Sequence, residues 1–355
     1  MTNKKEHLIF LVQSFEQPRI IKKIIEASSE YSRVSAYGYM RKIHAVNNYS
    51  VLDNYENIDY RIVDTLSDGQ YFKRIFSYLK LLLLLYRNYG FSRKNLYVVG
   101  IDLRFLSMLV FNAKIDYVIS DIVWLYYSNP QKWFFKHLDL YMAKRSRKVY
   151  FTSRGFYDSY YKDHVSKRQL VITENKLATY GKVSSLGEIK TDSIRIAYIG
   201  AFRYENIINN LLESVRKNPN IKLNFYGDGG SSIVDTMKRH AKEYSNISFN
   251  GAFKNPDDLE RIYSENNVNF VVYDNTKENE RVAMPNKFYE SGFFNVPIVC
   301  ATNTYVGKRA LEVGMGWICD IDQESINSFL NTLKMKDILD CHERIKRLDK
   351  NQFIC

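Results

Sequence analysis

A lysine and a glutamate three positions apart, Lys287 and Glu290, have the residue types and the spacing to bind a phosphorylated ligand. They lie in the segment MPNKFYESG, where Pro285 is expected to open a helix and Asn286 follows it. Positions three apart share one helix face, so an ammonium and a carboxylate should stand side by side. A nucleotide needs this pairing, with the ammonium at its diphosphate and the carboxylate at its ribose hydroxyls. An ordinary surface ion pair, which contributes only about 0.2 to 0.5 kcal/mol at this spacing, is the alternative.

Two glycine-containing turns precede this segment. The turn GAFR, from Gly200 to Arg203, follows an apolar run and leads into a helical pattern. Glycine lets the backbone approach a ligand, a helix start supplies free N–H groups, and Arg203 can add a bidentate phosphate contact. A tight turn with an exposed arginine is the alternative. Gly227 opens the second turn, GDGG, but the chain contains neither GxGxxG nor GxxxxGK[ST], the usual phosphate-loop fingerprints.

The elements that must position these residues alternate regularly in the second half of the chain. Short apolar runs and helical patterns follow one another, which is typical of βαβ units around a parallel sheet. The predicted strands are Ile194–Ile199, Ile221–Tyr226, Ile247–Asn250, Val268–Tyr273, Val296–Ala301 and Gly316–Cys319. The predicted helices are Glu205–Lys217, Ser231–Glu243, one that starts with Asn255 as N-cap and ends near Asn266, Asn286–Phe294 and Tyr305–Val313. Ligands bind beyond the carboxyl ends of such strands, where both glycine turns stand.

The first half repeats this alternation less regularly. Its predicted strands are His7–Val12, Arg33–Tyr37, Tyr60–Val63, Leu96–Val99, Tyr117–Ile119 and Lys148–Phe151. We therefore predict an α/β protein with two doubly wound, Rossmann-like domains that face each other across a cleft. The expected divisions are a first domain over residues 1–175, a polar linker over 176–192, a second domain over 193–335, and a helical tail over 336–355 that could cross back to the first domain.

The formal net charge of +12 is confined to the first half. Residues 1–192 hold 30 Lys and Arg against 18 Asp and Glu, whereas residues 193–355 hold 21 of each. This asymmetry favours an anionic partner for the first domain, such as a membrane surface or a lipid-linked phosphate, over a merely solubilising surface. Nucleic acid is disfavoured as a partner, because no RNP, zinc-finger or helix-turn-helix signature accompanies the charge.

The segment PNKFYESGFFNVPIV, preceded by YIGAFR, FYGDGG and ISFNGAF, resembles the donor-binding domain of GT-B glycosyltransferases of the family 4 type. The resemblance covers residues 194 to about 330. It implies that Glu290 binds the ribose of a nucleotide-sugar donor and that Arg203 and Lys287 neutralise its diphosphate. The other implied donor-binding positions are Gly200, Gly227, Pro285 and Asn286.

Two family positions differ in this chain. The family commonly has an acid eight residues before the position of Glu290, where this chain has Val282, so that acid is missing or is replaced by Glu280 or Glu278. A lysine is also usual about five residues beyond the loop arginine, where this chain has Ile208. Lys287 is therefore expected to supply the second phosphate-binding cation.

The first half resembles the family's acceptor domain more weakly, through VGID and ISD at two strand ends. Asp102 is the implied catalytic candidate, which would orient or deprotonate the acceptor; a buried structural aspartate is the alternative. The implied activity is sugar transfer from a nucleotide-diphosphate donor, with a UDP-sugar favoured, to a growing bacterial surface glycan of the capsule or O-antigen type. Anomeric configuration would be retained. A sugar-nucleotide epimerase of the same fold is the alternative.

Metal ligands are sparse in the sequence, so we predict a metal-independent site without a cofactor. The DxD motif Asp320-Ile321-Asp322 ends a predicted strand, and Asp322 is expected to be the N-cap of the next helix rather than a ligand. The six histidines form no HExxH pattern. The four cysteines are scattered over the last 56 positions without CxxC spacing, which disfavours a zinc site and a disulfide scaffold.

A peripheral membrane protein on the inner face of the cytoplasmic membrane is the location we expect. The N-terminal apolar run of five residues is too short for a signal peptide, and the run from Leu79 to Tyr86 is too short to span a bilayer. An amphipathic element around residues 76–87 could enter the interface beside a lipid-linked acceptor. A buried core helix is the alternative for that run.

Overall fold

The computed structural model describes residues 5–15, 17–41, 49–66, 71–110, 112–177 and 190–355. The chain divides into two compact units, Met1–Glu174 and Asn175–Cys355. Most of the predicted linker, residues 178–189, lies outside the described residues. In the described part of the chain, no helix combines the length and the apolar character that crossing a membrane requires.

The first unit contains a seven-stranded parallel sheet with the strand order β3-β2-β1-β4-β5-β6-β7. Its strands are β1 Lys5–Val12, β2 Tyr31–Arg41, β3 Ile58–Leu66, β4 Lys94–Val99, β5 Ala113–Ile119, β6 Lys148–Phe151 and β7 Leu170–Ile172. Its helices are α1 Pro18–Glu30, α2 Tyr71–Tyr89, α3 Ile101–Ser107, α4 Gln131–Lys144 and the single turn α5 Arg154–Phe156. The central strands are apolar runs because helices cover both faces of a parallel sheet.

All six strands predicted for this half are present, most of them longer than expected. The seventh, β7, has only three residues, each half-buried, at the edge of the sheet. A strand this short gives no periodic signal in the sequence. Helix α2 buries Leu81 and Leu85 in a core cluster with residues of β1, β2, β3 and β4, and it leaves other apolar side chains exposed.

The second unit contains a six-stranded parallel sheet with the order β10-β9-β8-β11-β12-β13. Its strands are β8 Ile194–Phe202, β9 Ile221–Gly229, β10 Ile247–Phe249, β11 Val268–Val271, β12 Ile298–Ala301 and β13 Gly316–Cys319. Its helices are α6 Glu205–Arg216, α7 Ser231–Glu243, α8 Leu259–Glu265, α9 Glu278–Val282, α10 Asn286–Phe293, α11 Tyr305–Glu312, α12 Gln323–Thr332 and α13 Met335–Lys346. Each of the six predicted strands is found.

The predicted start of α8 is wrong. The helix begins at Leu259 with Asp258 as its N-cap residue, not at Asn255. The Asp258 carboxylate instead accepts a hydrogen bond from the Lys254 backbone N–H at 2.7 Å, which closes a turn ahead of the helix. The Asn255 amide approaches Oε1 of Glu290 at 3.4 Å.

The C-terminal tail packs into the core of the second unit. Ile338, Cys341 and Ile345 of α13 are fully buried there, as is Phe353. The Phe353 carbonyl accepts from the Leu177 N–H at 2.9 Å, so the tail also holds the first residues of its own unit. The predicted return of the tail to the first domain stays a prediction.

Each sheet has one point at which the strand order reverses. In the first unit it lies between β1 and β4, and in the second between β8 and β11. The connections that leave two such strands run to opposite faces of the sheet, which opens a crevice at their carboxyl ends. This topology indicates where each unit should carry its functional side chains.

Candidate functional site

Lys287 and Glu290 form a buried ion pair in the second unit. The Lys287 ammonium lies 2.9 Å from Oε2 and 3.2 Å from Oε1 of Glu290, and both residues belong to the opening turns of α10. The Glu290 side chain is 2% exposed and that of Lys287 is 15% exposed. Most of the energy of an ordinary surface pair is lost to solvent screening, whereas this pair is protected from it. The surface-pair alternative is therefore wrong for these residues.

Two further donors bind the Glu290 carboxylate. The Tyr263 hydroxyl donates to Oε2 at 3.0 Å and the Asn255 amide approaches Oε1 at 3.4 Å. Burial and then the Glu290 charge raise the pKa of Tyr263, so its hydroxyl keeps the proton that it donates. Glu290 is thus a desolvated acceptor held by an ammonium, a hydroxyl and an amide. Replacing such donors with ligand hydroxyls would leave the carboxylate satisfied.

The two predicted glycine turns are instead the carboxyl ends of β8 and β9, where Gly200 pairs with Gly227 and Phe202 pairs with Gly229. The Lys287 side chain runs beside Gly200. A methyl group built on Gly200, which ends the core of β8, would lie 3.5 Å from the Lys287 Cε. On its other side, the Lys287 ammonium stands 5.8 Å from the centre of the Phe253 ring. The structure therefore brings together the lysine and Gly200 near the carboxyl end of β8, which the sequence places more than eighty positions apart. Both lie at the β8 side of the switch point.

Gly227 is required by the backbone. It pairs with Gly200 across β8 and β9, has a φ of +145°, and a Cβ there would lie 1.8 Å from the Gly200 carbonyl oxygen. The close approach of two strands explains this glycine without any ligand. Its predicted donor contact stays a prediction.

The remaining predicted donor-binding residues are Arg203, Pro285 and Asn286. Arg203 is exposed in the short connection from β8 to α6. Pro285 is the N-cap residue of α10, and Asn286 is its exposed first residue. The proline thus stands one position ahead of the helix that it is expected to open.

Glu280 is the buried one of the two acids that could replace the acid missing at Val282. It lies on α9 with 5% exposure, whereas Glu278 is half-buried. Tyr204 follows Arg203 directly, and its hydroxyl is 3.4 Å from Glu280 Oε1. A second carboxylate is therefore held near the end of β8.

Asp102 lies at the switch point of the first unit, in the first turn of α3. Its Oδ1 accepts from the Gln13 amide at 2.6 Å and from the Leu103 N–H at 2.9 Å, and its Oδ2 accepts from the Tyr78 hydroxyl. Burial and the Asp102 charge raise the pKa of Tyr78, so the tyrosine acts as donor in this contact. Both carboxylate oxygens are engaged, as in a structural aspartate. A catalytic role for Asp102 stays a prediction.

The DxD motif is divided between two structural tasks. Asp322 is the N-cap of α12 and accepts from the Ser325 N–H at 2.9 Å, which lowers the pKa of its carboxyl and confirms the predicted cap. Asp320 instead accepts from the Thr302 hydroxyl. Within the described ranges, no three His, Cys, Asp or Glu side chains converge in a way that could hold a metal ion.

Several residues around these sites escape sequence reasoning. Asn255 is predicted to be a helix cap, and Tyr263 lies within the helix predicted to end near Asn266, yet both contact Glu290 from 35 and 27 positions away. Gln13 and Tyr78 similarly reach Asp102 from distant elements. The only available signal is their place just after a strand or on a helix next to the switch point.

Comparisons with known proteins support the same architecture. No protein-family profile matches the chain. The succinoglycan biosynthesis protein ExoL of Rhizobium meliloti is 22% identical over 367 residues, which cover 98% of this chain and 89% of that protein. The structure of sucrose-phosphate synthase from Thermosynechococcus elongatus has a TM-score of 0.71 at 10% identity and covers 99% of this chain and 95% of its own.

Two other structures are similar over nearly the whole chain. HepE of Anabaena in complex with UDP-glucose has a TM-score of 0.69 at 11% identity, covering 98% of this chain and 95% of that one. A structure described as a UDP-N-acetylglucosamine 2-epimerase from Listeria monocytogenes has a TM-score of 0.62 at 10% identity, covering 98% and 92%. With its two parallel sheets and these neighbours, the chain has the two-unit α/β fold of the GT-B glycosyltransferases, as the resemblance in its second half predicts.

Proposed function

We propose that this chain is a GT-B glycosyltransferase of the family 4 type that takes its sugar from a nucleotide-diphosphate donor bound to the second unit. The observation that carries the proposal is the buried Lys287–Glu290 pair on the opening turns of α10, beside Gly200 of β8 at the switch point. A buried ion pair is costly to desolvate and adds little stability by itself. We therefore assign the pair a role in binding a ligand that carries both hydroxyls and negative charge.

The chemistry follows from where charge develops. As the bond between the anomeric carbon and the diphosphate breaks, negative charge builds on the leaving phosphate oxygens. Lys287 and Arg203 would strengthen their contacts with those oxygens in the transition state, which lowers the barrier. Glu290 would accept the ribose hydroxyls and fix the nucleotide. A new bond then forms from the acceptor hydroxyl to the anomeric carbon, with retention of configuration and no protein nucleophile.

The donor and acceptor classes are inferred from the relatives. HepE binds UDP-glucose, which supports a UDP-sugar donor, and ExoL serves succinoglycan biosynthesis, which supports a bacterial surface glycan as the product. We propose a lipid-linked glycan as acceptor, reached at the inner face of the cytoplasmic membrane through the basic first unit. Asp102 would orient or deprotonate the acceptor hydroxyl, and no metal ion would be required.

A nucleotide-binding panel tests the donor site. The melting temperature is measured with UDP, GDP, CMP and TDP, because a ligand that binds only the native state raises it. We expect a rise of several degrees with UDP, abolished by Lys287→Ala or Glu290→Ala. Glu343→Gln is the matched control, since Glu343 and Lys346 form a Glu–Lys pair three residues apart that is about half exposed. Folded Lys287 and Glu290 variants that respond like the wild type would contradict the site.

An epimerase is the second candidate, because one structural neighbour is described as such an enzyme. The two functions differ in what they need. An epimerase converts the nucleotide-sugar with no acceptor, whereas a transferase releases the nucleoside diphosphate only as sugar reaches an acceptor. NMR spectroscopy of UDP-sugars incubated with the protein, with and without membranes, separates these outcomes, because it distinguishes stereoisomers of equal mass. A stereoisomer formed without membranes would favour the epimerase.

A further inference from the structure

Exposed apolar side chains are concentrated on three neighbouring helices of the first unit. The largest exposed fractions on α2 belong to Phe76 at 71% and Leu83 at 70%, and on α4 to Trp133 at 62%. Soluble surfaces seldom gather so many large apolar groups without a partner. We call the following residues the helical face: Ile75, Phe76, Leu79, Leu83, Phe105, Met108, Leu109, Trp133, Phe134 and Tyr141.

The helical face lies on the side of the helices opposite the core. On α2, Leu81 and Leu85 are fully buried against the sheet, whereas the exposed apolar positions follow one another at intervals of three and four residues. The helix is therefore apolar on two opposite sides, and the outer side faces solvent. The core-helix interpretation of this run is confirmed for the side that carries Leu81 and Leu85, and the entry of its outer side into a membrane interface stays a prediction.

The α3 segment joins the outer surfaces of α2 and α4. The Tyr86 hydroxyl of α2 donates to the Leu109 carbonyl just after α3. The Arg104 guanidinium of α3 is buried and donates to the Met142 carbonyl of α4 at 3.0 Å. These contacts keep the three helices side by side within one unit, so the helical face is a single broad surface.

The helices that carry most of the helical face have a positive formal charge. Helix α2 contains four basic residues and no acid, although Lys73 and Lys80 donate to backbone carbonyls of β3, and α4 contains three lysines and one acid, Asp139. Asp139 is buried and accepts from Tyr117, Trp124 and Tyr161, so it adds no negative charge to the surface. At the end of α4, the Arg145 guanidinium lies 4.7 Å from the centre of the exposed Tyr141 ring.

We propose that the helical face docks on an anionic lipid bilayer. Apolar and aromatic side chains would enter the boundary between headgroups and acyl chains, while lysine and arginine side chains contact lipid phosphates. A second copy of this chain fits less well, because it would oppose two faces of the same positive sign. The inference rests on the membrane acceptor of the proposed function, but it concerns binding alone.

Vesicle flotation tests this surface. The full chain is mixed with phosphatidylcholine vesicles, with or without phosphatidylglycerol, at low and high salt. We expect binding only to the anionic vesicles, and weaker binding at high salt. Binding should be at least tenfold weaker for Phe76→Ser/Leu83→Ser, because this variant removes two large apolar side chains from the proposed contact with the bilayer. The matched control, Leu311→Ser/Leu339→Ser, removes two exposed leucines of the second unit and should bind within twofold of the wild type.

Trp133 supplies an independent readout. It is 62% exposed, whereas Trp124 is 1% exposed, so insertion should blue-shift a tryptophan emission that Trp133→Phe removes. Absence of binding to anionic vesicles, or unchanged binding of the Phe76/Leu83 variant, would overturn the proposal. A dimer that forms without lipid in sedimentation, and that the Phe76/Leu83 variant converts to monomer, would also overturn it. If vesicle binding fails while the UDP-dependent melting shift is retained, the docking surface is wrong and the donor site is unaffected.

Discussion

The two units share one architecture and differ in where they place charge and apolar surface. Both are parallel sheets with a single reversal of strand order. The second unit has almost no net charge and concentrates a lysine and a glutamate at its switch point, out of solvent. The first unit has the basic excess of the chain and leaves apolar side chains exposed on α2, α3 and α4. The same scaffold can therefore present a ligand site at a strand end or a docking surface on its helices.

The carboxylates at the two switch points also differ in the charge of their partners. Asp102 in the first unit is held by the neutral donors Gln13 and Tyr78, whereas Glu290 in the second is held by a cation. The hydrogen-bond donors named for Asp102 are all uncharged. A carboxylate paired with an ammonium, in contrast, forms part of a site that attracts both hydroxyls and anions. This difference supports the proposed division between acceptor and donor.

The largest effect should come from Gly227→Ala. The new Cβ would lie 1.8 Å from the Gly200 carbonyl oxygen at a φ of +145°, so we expect a loss of about 4 kcal/mol of unfolding free energy. Urea unfolding measures the loss, and the UDP-dependent melting shift should disappear with it. Gly230→Ala is the control, because a Cβ there meets nothing within 4 Å. Equal stability of the two variants would contradict the close strand approach.

The buried pair should show the next largest effect. Lys287→Met leaves the Glu290 carboxylate buried, with Asn255 and Tyr263 as its remaining donors among the described residues, and we expect it to cost about 3 kcal/mol. The double variant with Glu290→Gln should cost less than the two single changes together. A double-mutant cycle by urea unfolding gives the coupling energy, which we expect at 1 to 3 kcal/mol, roughly. Additive costs would show that the pair is not coupled.

Asp102→Ala should have a smaller effect on stability and a larger one on transfer. It leaves the Gln13 amide and the Tyr78 hydroxyl without their acceptor, for a cost of about 1 to 2 kcal/mol. We expect sugar transfer to membrane-bound acceptor to fall at least tenfold while the UDP-dependent melting shift is unchanged. Asp102→Asn, which keeps one acceptor oxygen, serves as the conservative control. Full transfer activity in both variants would assign Asp102 a structural role only.

The smallest effect should come from Asp59→Asn in the first unit. The Arg33–Asp59 pair is close, at 2.6 Å, but its side chains are 60% and 65% exposed. Solvent screens such a pair, so we expect less than about 1 kcal/mol by urea unfolding. A cost as large as that of Lys287→Met would show that burial does not distinguish the ion pairs of the two units.

Sequence reasoning succeeds where a signal is local. Buried parallel strands are continuous apolar runs, so β8, β9 and β12 are visible in the sequence, and Asp322 is recognisable as a cap because it acts on the next three residues. It fails where the same residue type is buried at one position and exposed at another. Phe105 and Trp133 have the composition of core positions, yet both are more than half exposed, because their helices turn other sides to the sheet.

The sequence by itself determined the two α/β units, the basic excess of the first one, and the three-residue spacing that places Lys287 and Glu290 on one helix face. Those properties depend on residue type and on separations within a single element. Only the tertiary structure decided that Asn255 and Tyr263 meet Glu290, that Gln13 and Tyr78 meet Asp102, and that three helices expose one apolar surface. Contacts between distant segments depend on how the strands are ordered and how the helices pack on them, and no local pattern carries that information.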